Sequence, residues 1–125
     1  MPTTIVTLIN DLLFQPRVDH ALRQAGHHAV RYRGDIPVAE LIHTDGPAAG
    51  VVDLDAAESI PAAQRLLAAG VPVVAFGGHT NEAQRTAARA TGVTVLATRG
   101  EVHRDLGALI AQALAHVPDP DCDHC

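Results

Sequence analysis

A β-branched run near the amino terminus reads Thr3-Thr-Ile-Val-Thr-Leu-Ile9 and ends at the polar pair Asn10-Asp11. A continuous apolar and β-branched run is typical of a strand buried on both faces, as in a parallel sheet. Beyond the polar pair, Pro16 suits the first turn of a helix, apolar residues recur at helical spacing, and Gly26 follows as a stop. This stretch predicts a strand, a polar loop and a helix.

The same alternation of strand and helix continues along the chain. Further strands are predicted at residues 28–32, within 49–55, and at 71–76 and 93–97. Further helices are predicted at residues 37–42, 60–69 with Ser59 as N-cap, 81–90, and 102–116 with Leu106, Leu109, Ile110 and Leu114 on the apolar face. Strands that alternate with helices indicate parallel strands joined by right-handed crossovers. We therefore predict an α/β fold: a three-layer, doubly wound (βα)5 sandwich of flavodoxin-like type, with strand order 2-1-3-4-5.

Length and composition limit the classes of protein to consider. The 125 residues allow one domain, predicted at 1–117, and a flexible acidic tail at 118–125. Apolar residues make up 47%, which is enough to fill a core. The net charge is −5, and all nine cationic residues are arginines, which disfavours nucleic-acid binding and excludes a P-loop or a Schiff-base lysine. No apolar run approaches the roughly 20 residues of a membrane span, and no secretory signal is evident, so a cytoplasmic protein is expected.

Residues for covalent catalysis are scarce. Ser59 is the single serine, and both cysteines lie in the last four residues. The eight histidines are scattered, without the spacing of a zinc protease, and no Gly-x-Gly-x-x-Gly follows the first strand. The sequence therefore predicts neither an enzyme nor a nucleotide cofactor.

Polar side chains gather at the predicted switch point of the sheet, between strands one and three. Asn10 and Asp11 follow strand one, and Asp53 and Asp55 end strand three. Ligands of doubly wound sheets bind at the carboxyl ends of the strands, and converging carboxylates suit a hard cation such as Mg²⁺. The alternative is that these residues are solvated turn formers and that Asp55 caps the following segment.

The chain resembles the receiver domains of bacterial two-component response regulators. The resemblance rests on the order of elements over residues 3–116, on Asn10-Asp11 after strand one, on Asp53 closing Val51-Val52-Asp53, and on Pro72-Val-Val-Ala-Phe76 as strand four. It implies that Asp53 accepts a phosphoryl group from a partner histidine kinase. It also implies a Mg²⁺ ion held by Asp53 and by an acidic pair after strand one. Asp11 is the closest match to that pair, and Asn10 replaces its other acid. Asp55 would lie near a backbone contact to the metal.

Two positions depart from the receiver pattern. The family's Thr or Ser at the end of strand four falls on Gly77, and its lysine at the end of strand five falls near Thr98-Arg99. A hydroxyl and an ammonium that bind phosphoryl oxygens would stabilise the transition state and couple phosphorylation to the surface. Arg99 would stand in for the lysine in part, since it is always charged, although it is longer and planar. The resemblance thus implies a divergent, pseudo-receiver-like domain.

The loop after strand four supplies a second hypothesis. Phe76-Gly77-Gly78-His79-Thr80 precedes a predicted helix, where backbone N–H groups and permissive glycines can cradle an anion. With Arg99 nearby, the crevice formed by strands one, three and four would bind a small molecule or an anion through Asn10, Asp53 and His79. The alternative is a tight turn with a surface histidine.

The carboxyl-terminal tail could bind a transition metal. Cys122, His124 and Cys125 bring two thiols and an imidazole together, which suits Zn²⁺ or a similar ion. The alternative is an acidic disordered end or a redox-sensitive thiol pair.

The leading hypothesis is a stand-alone signalling or protein-interaction domain, with a protein partner or a second copy as its target and no membrane contact. In the resembled family, docking uses the helix before strand five, strand five itself and the last helix. Four arginines are expected on or near this face: Arg85, Arg89, Arg99 and Arg104.

Overall fold

A computed structural model describes residues 3–32, 46–77 and 82–115. These residues form five strands and four helices in alternation. In chain order they are β1 (Thr3–Leu8), α1 (Gln15–Gln24), β2 (His27–Arg31), β3 (Ala49–Asp53), α2 (Ser59–Ala68), β4 (Val73–Phe76), α3 (Glu82–Thr91), β5 (Val95–Ala97) and α4 (Arg99–Ala115). Within these ranges, no helix is both long and apolar enough to cross a membrane.

All five strands are parallel and lie in the order β2-β1-β3-β4-β5, which confirms the predicted fold class and strand order. In the register, Leu8 pairs with Val52 and Asp53 pairs with Phe76. The carboxyl ends of β1, β3 and β4 therefore lie side by side. Asn10, Asp55 and Gly77, which follow these three strands, border the crevice predicted from the sequence.

Successive residues of the central strands point to opposite faces of the sheet, as the pleat requires. Val51 and Phe76 pack on one face with α1 and α4, whereas Val52 and Ala75 pack on the other face with α2 and α3. Every residue of β3 and β4 is buried. This two-sided burial explains why both strands appear in the sequence as continuous apolar runs.

Two helix starts differ from the sequence prediction. Ser59 is the first residue of α2 and not its N-cap, because its buried hydroxyl donates to the carbonyl of Leu54 at 3.4 Å. The last helix begins at Arg99, three residues earlier than expected. Thr98 Oγ1 accepts the N–H of Glu101 at 3.0 Å, and a Glu101 carboxylate oxygen accepts the N–H of Thr98 at 2.9 Å, which is a capping box.

The helix α4 also contains a break. Asp105 has extended backbone angles, and its side chain accepts the N–H of Ala108 at 3.1 Å, so it caps the longer second segment. The helix predicted at 37–42 and the tail at 118–125 lie outside the described residues. The proposed domain boundary therefore stays a prediction.

The apolar face of α4 is narrower than the sequence pattern suggests. Leu106 and Ile110 are buried, and Leu109 packs against the core, but Leu114 is 38% exposed. The inclusion of Leu114 in the apolar face was wrong, because the adjacent Ala113, which is fully buried, faces the core at this turn of the helix.

We expect Leu106→Ala to lower the free energy of unfolding by about 2–5 kcal/mol, because it leaves a cavity in a closed core. Leu114→Ala is the matched control on the same helix and should change it by about 0.5 kcal/mol or less. Urea denaturation measures both. Equal losses in the two variants would contradict the assigned packing of α4.

Candidate functional site

Asp53 ends β3, and its side chain is fully buried. The carboxylate accepts two backbone hydrogen bonds, from the N–H of Asn10 to Oδ2 at 3.1 Å and from the N–H of Asp55 to Oδ1 at 3.0 Å. A buried charge is costly unless it is hydrogen-bonded and paired. The two N–H donors meet part of this requirement and hold both oxygens in place.

Asp11 lies across the crevice in the loop between β1 and α1. Its Oδ1 accepts the N–H of Leu13 at 2.8 Å, and its Oδ2 accepts a hydrogen bond from Arg99 at 3.0 Å. The Leu13 N–H, together with the Arg99 hydrogen bond, holds the pKa of Asp11 below its ordinary value. The carboxylate is thereby kept ionised and turned towards Arg99.

Arg99 links the two carboxylates. One guanidinium nitrogen is 3.0 Å from Asp11 Oδ2, and the other terminal nitrogen is 4.0 Å from Asp53 Oδ2. The guanidinium carbon lies 4.9 Å from the centre of the Phe14 ring, within the range of a cation–π contact. Phe14 is buried and packs against Phe76 with ring centres 5.6 Å apart, so the cation rests on a fixed surface.

Gly77 forms the wall of the crevice at the end of β4. Its φ is +90°, a conformation that residues with a side chain rarely adopt. A Cβ at this position would lie 3.2 Å from Asp53 Oδ1 and 3.3 Å from Asp55 Oδ2. Glycine is therefore required at position 77 for two reasons: the backbone has a positive φ, and a side chain would contact the carboxylates of Asp53 and Asp55.

Arg85 of α3 connects the ends of two strands. Its guanidinium donates to the carbonyl of Gly77 at 2.9 Å and to the carbonyl of Ala97 at 3.3 Å. A charged donor to a carbonyl makes a comparatively strong hydrogen bond. The contact fixes Gly77 relative to β5 and so helps to position the wall of the crevice.

The structure brings most of the predicted crevice residues together, although not always through their side chains. Asn10 and Asp55 contact Asp53 through backbone N–H groups, and both residues are exposed. Asp11 reaches Asp53 through Arg99. Of the predicted metal ligands, Asp11 and Asp53 are thus ion-paired with Arg99, whereas Asn10 and Asp55 hold Asp53 through their backbone. Among the described residues, no three His, Cys, Asp or Glu side chains cluster as a metal site would require.

Other predicted site residues have different outcomes. Gly78, His79 and Thr80 of the anion loop, and Cys122, His124 and Cys125 of the tail, lie outside the described residues. The four arginines expected near the docking face divide into two pairs. Arg85 donates to the carbonyl of Gly77 and Arg99 to the carboxylate of Asp11, both at the carboxyl ends of strands, whereas Arg89 and Arg104 are exposed.

Sequence reasoning missed Phe14, assigned Arg85 only to the docking face, and did not place Arg99 at the start of a helix. The Thr98-x-x-Glu101 pattern is a capping-box signature that would have placed Arg99 at the start of a helix. Phe14 and Arg85 carry no comparable local signal. Their roles follow from the packing of α1 and α3 against strands that are distant in sequence.

No family model and no curated protein matches the sequence. Solved structures do match the fold. The receiver domain of a Pseudomonas aeruginosa sensor histidine kinase, whose active-site cleft coordinates a magnesium ion, aligns with a TM-score of 0.77 and 13% identity over 93% of this chain and all of that one. A Thermotoga maritima response regulator aligns with a TM-score of 0.75 and 11% identity over the same shares of the two chains. The chain has the receiver-domain fold.

The Vibrio cholerae chemotaxis protein CheY4 is a third structure of this kind. It aligns with a TM-score of 0.74 and 12% identity, over 91% of this chain and all of CheY4. The resemblance stated from the sequence is confirmed at the level of the fold. At such low identities, the function of the receiver-like domain has to be argued from its own site.

We expect Gly77→Ala to lower the free energy of unfolding by about 1–3 kcal/mol, because it adds backbone strain and places a methyl group against two carboxylates. Gly70→Ala is the matched control. Gly70 also has a positive φ, +81°, but nothing lies within 4 Å of its Cβ position. Thermal or urea denaturation should show the larger loss for Gly77→Ala. Equal losses would mean that the carboxylates do not restrict this position.

Acidification should weaken the contribution of Asp11 to the free energy of unfolding. Its pKa is lowered on folding, so its stabilising effect is present above the unfolded pKa of about 4 and is lost as the pH falls through the folded pKa. The stability difference between wild type and Asp11→Asn should therefore be larger at about pH 7 than at about pH 3. Urea denaturation at both pH values measures it, and a constant difference would contradict the assignment.

Proposed function

We propose that the receiver-like domain is a signalling module that acts through protein contacts, and that it lacks magnesium-dependent phosphoryl transfer at Asp53. The observation that carries the proposal is the position of Asp53 and the set of groups that contact its carboxylate. The residue is retained at the end of β3, yet both of its oxygens accept backbone N–H groups, and its nearby charge is Arg99. Asp53 thus lies where the resemblance places the phosphoryl acceptor, but the groups around it differ from those that the resemblance implies.

The chemistry of phosphoryl transfer supports this proposal. A carboxylate that accepts a phosphoryl group needs an oxygen that can reach the phosphorus, and groups that stabilise the charge of the transition state. Gly77 supplies no hydroxyl beside Asp53, and a side chain would crowd two carboxylates there. The crevice is therefore arranged to hold Asp53 by backbone hydrogen bonds and beside Arg99.

Signalling through protein contacts is supported by the two exposed arginines. Arg89 lies on α3 and Arg104 on α4, and both residues are exposed. They would face a protein partner or a second copy of the chain, and a histidine kinase is one such partner. We propose this role for a cytoplasmic protein.

The two alternative functions stay predictions. The anion-binding function depends on Gly78, His79 and Thr80, and the zinc-binding function depends on Cys122, His124 and Cys125, all outside the described residues. Two members of the anion set lie within the described residues: Gly77, whose carbonyl accepts a hydrogen bond from Arg85, and Arg99, which contacts Asp11, Asp53 and Phe14.

We expect the amide spectrum of the domain to show no Asp53-dependent change with Mg²⁺ and beryllofluoride, a phosphoryl mimic. Wild type and Asp53→Asn should respond alike in NMR titrations, because Asp53 is already held by hydrogen bonds and by Arg99. Affinity capture from the native host should recover a protein partner with wild type. Arg89→Glu should lose this partner, because it reverses the charge of the proposed face.

Arg23→Glu is the matched control for the capture experiment, since Arg23 is exposed on α1. It should retain the partner. A shift that requires Asp53 would show a phosphorylation-competent site and overturn that part of the proposal. A strict monomer that captures no partner in any form would overturn the signalling role.

A further inference from the structure

We propose that the guanidinium of Arg99 takes the place of a divalent cation between Asp11 and Asp53, so that the chain itself supplies the cation of the crevice and does not bind Mg²⁺ there. The inference deepens the proposed function and rests on its assignment of this crevice. It concerns how the two carboxylates are held, and its test is independent of any partner.

The contacts of Arg99 are those of a bridging cation. Its two terminal nitrogens are directed at different carboxylates, 3.0 Å from Asp11 and 4.0 Å from Asp53. A guanidinium is planar, keeps its charge at any physiological pH, and matches carboxylate oxygens well. The bridging cation is therefore part of the chain and does not have to be taken up from solution.

The position of Arg99 in the helix makes the pairing necessary. It is the first residue of α4, directly after the Thr98 cap. The amino-terminal end of a helix carries a partial positive charge, so a cation is disfavoured there without acidic partners. Asp11 and Asp53 supply these partners, and the capping box fixes the backbone that presents Arg99 to them.

The Phe14 ring restricts the guanidinium further. The ring lies 4.9 Å beneath the guanidinium carbon, and it is itself held by Phe76. An aromatic face stabilises a cation placed over it. The side chain is thus supported by two carboxylates and one ring, although it is 42% exposed.

These contacts do not fit a magnesium ion. Mg²⁺ requires near-octahedral oxygen ligands at about 2.0–2.1 Å and gives up water reluctantly. Both oxygens of each carboxylate already accept hydrogen bonds or face Arg99. A dication between Asp11 and Asp53 would also lie next to the guanidinium, and the two like charges would repel each other.

The test is a titration of the whole chain with Mn²⁺, which binds oxygen ligands as Mg²⁺ does and broadens nearby amide signals. Wild type should show no saturable broadening at Asn10, Asp53 and Asp55. Arg99→Gln should bind Mn²⁺ at least roughly ten-fold more tightly, because a positive charge about 4 Å away is removed. The added substitution Asp53→Asn should abolish this gain.

Two control variants separate the role of Arg99 from a general loss of structure or charge. Arg99→Met also removes the charge but keeps an apolar side chain over Phe14, and it should gain Mn²⁺ binding as Arg99→Gln does, so it tests the proposal even if Arg99→Gln folds poorly. Arg104→Gln removes an exposed arginine from the same helix and should behave as wild type.

Saturable binding of Mn²⁺ by wild type at Asp53 would overturn the inference, and so would the absence of any gain in Arg99→Gln. Both results would leave the signalling role intact, because that role is tested by partner capture and by Arg89→Glu. Failure of the signalling role would likewise leave the Mn²⁺ result unchanged.

Discussion

The buried carboxylate of Asp53 is the constraint on which the crevice depends. A charge with no exposure to water must be hydrogen-bonded and placed near an opposite charge. Here two loop N–H groups, from Asn10 and Asp55, supply the hydrogen bonds, and Arg99 supplies the charge. The loops after β1 and β3 and the start of α4 must therefore take up defined positions around one side chain.

The start of α4 shows how local and distant contacts act together. The capping box of Thr98 and Glu101 begins the helix, and the guanidinium of the next residue is then presented to the crevice. Phe14 from α1 supports that guanidinium, and Arg85 from α3 fixes the neighbouring Gly77. Elements on both faces of the sheet thus meet at the carboxyl ends of three strands.

Fold and site have diverged to different degrees in this domain. The receiver fold is preserved at TM-scores of 0.74 to 0.77, although identities are 11 to 13%. A parallel sheet with two covered faces needs only apolar residues of suitable volume, so many sequences satisfy it. The site needs particular groups at particular atoms. In this domain those groups include Gly77, which carries no hydroxyl, and Arg99, which contacts Asp11 and Asp53.

The sequence by itself determined the alternation of elements, the parallel sheet, the strand order and the meeting of Asp11 and Asp53 at one edge. These features follow from local hydrophobic patterns and general rules of chain connection, which act through short stretches such as residues 3–11. Helix ends were less well predicted, as Ser59 and Arg99 show, because caps depend on individual hydrogen bonds. Only the tertiary structure decided that Arg99 bridges two carboxylates, that Arg85 binds two strand ends and that Leu114 is exposed. Each of these depends on how helices pack onto strands far away in sequence, and the distances of a few ångströms that make an ion pair are set by that packing.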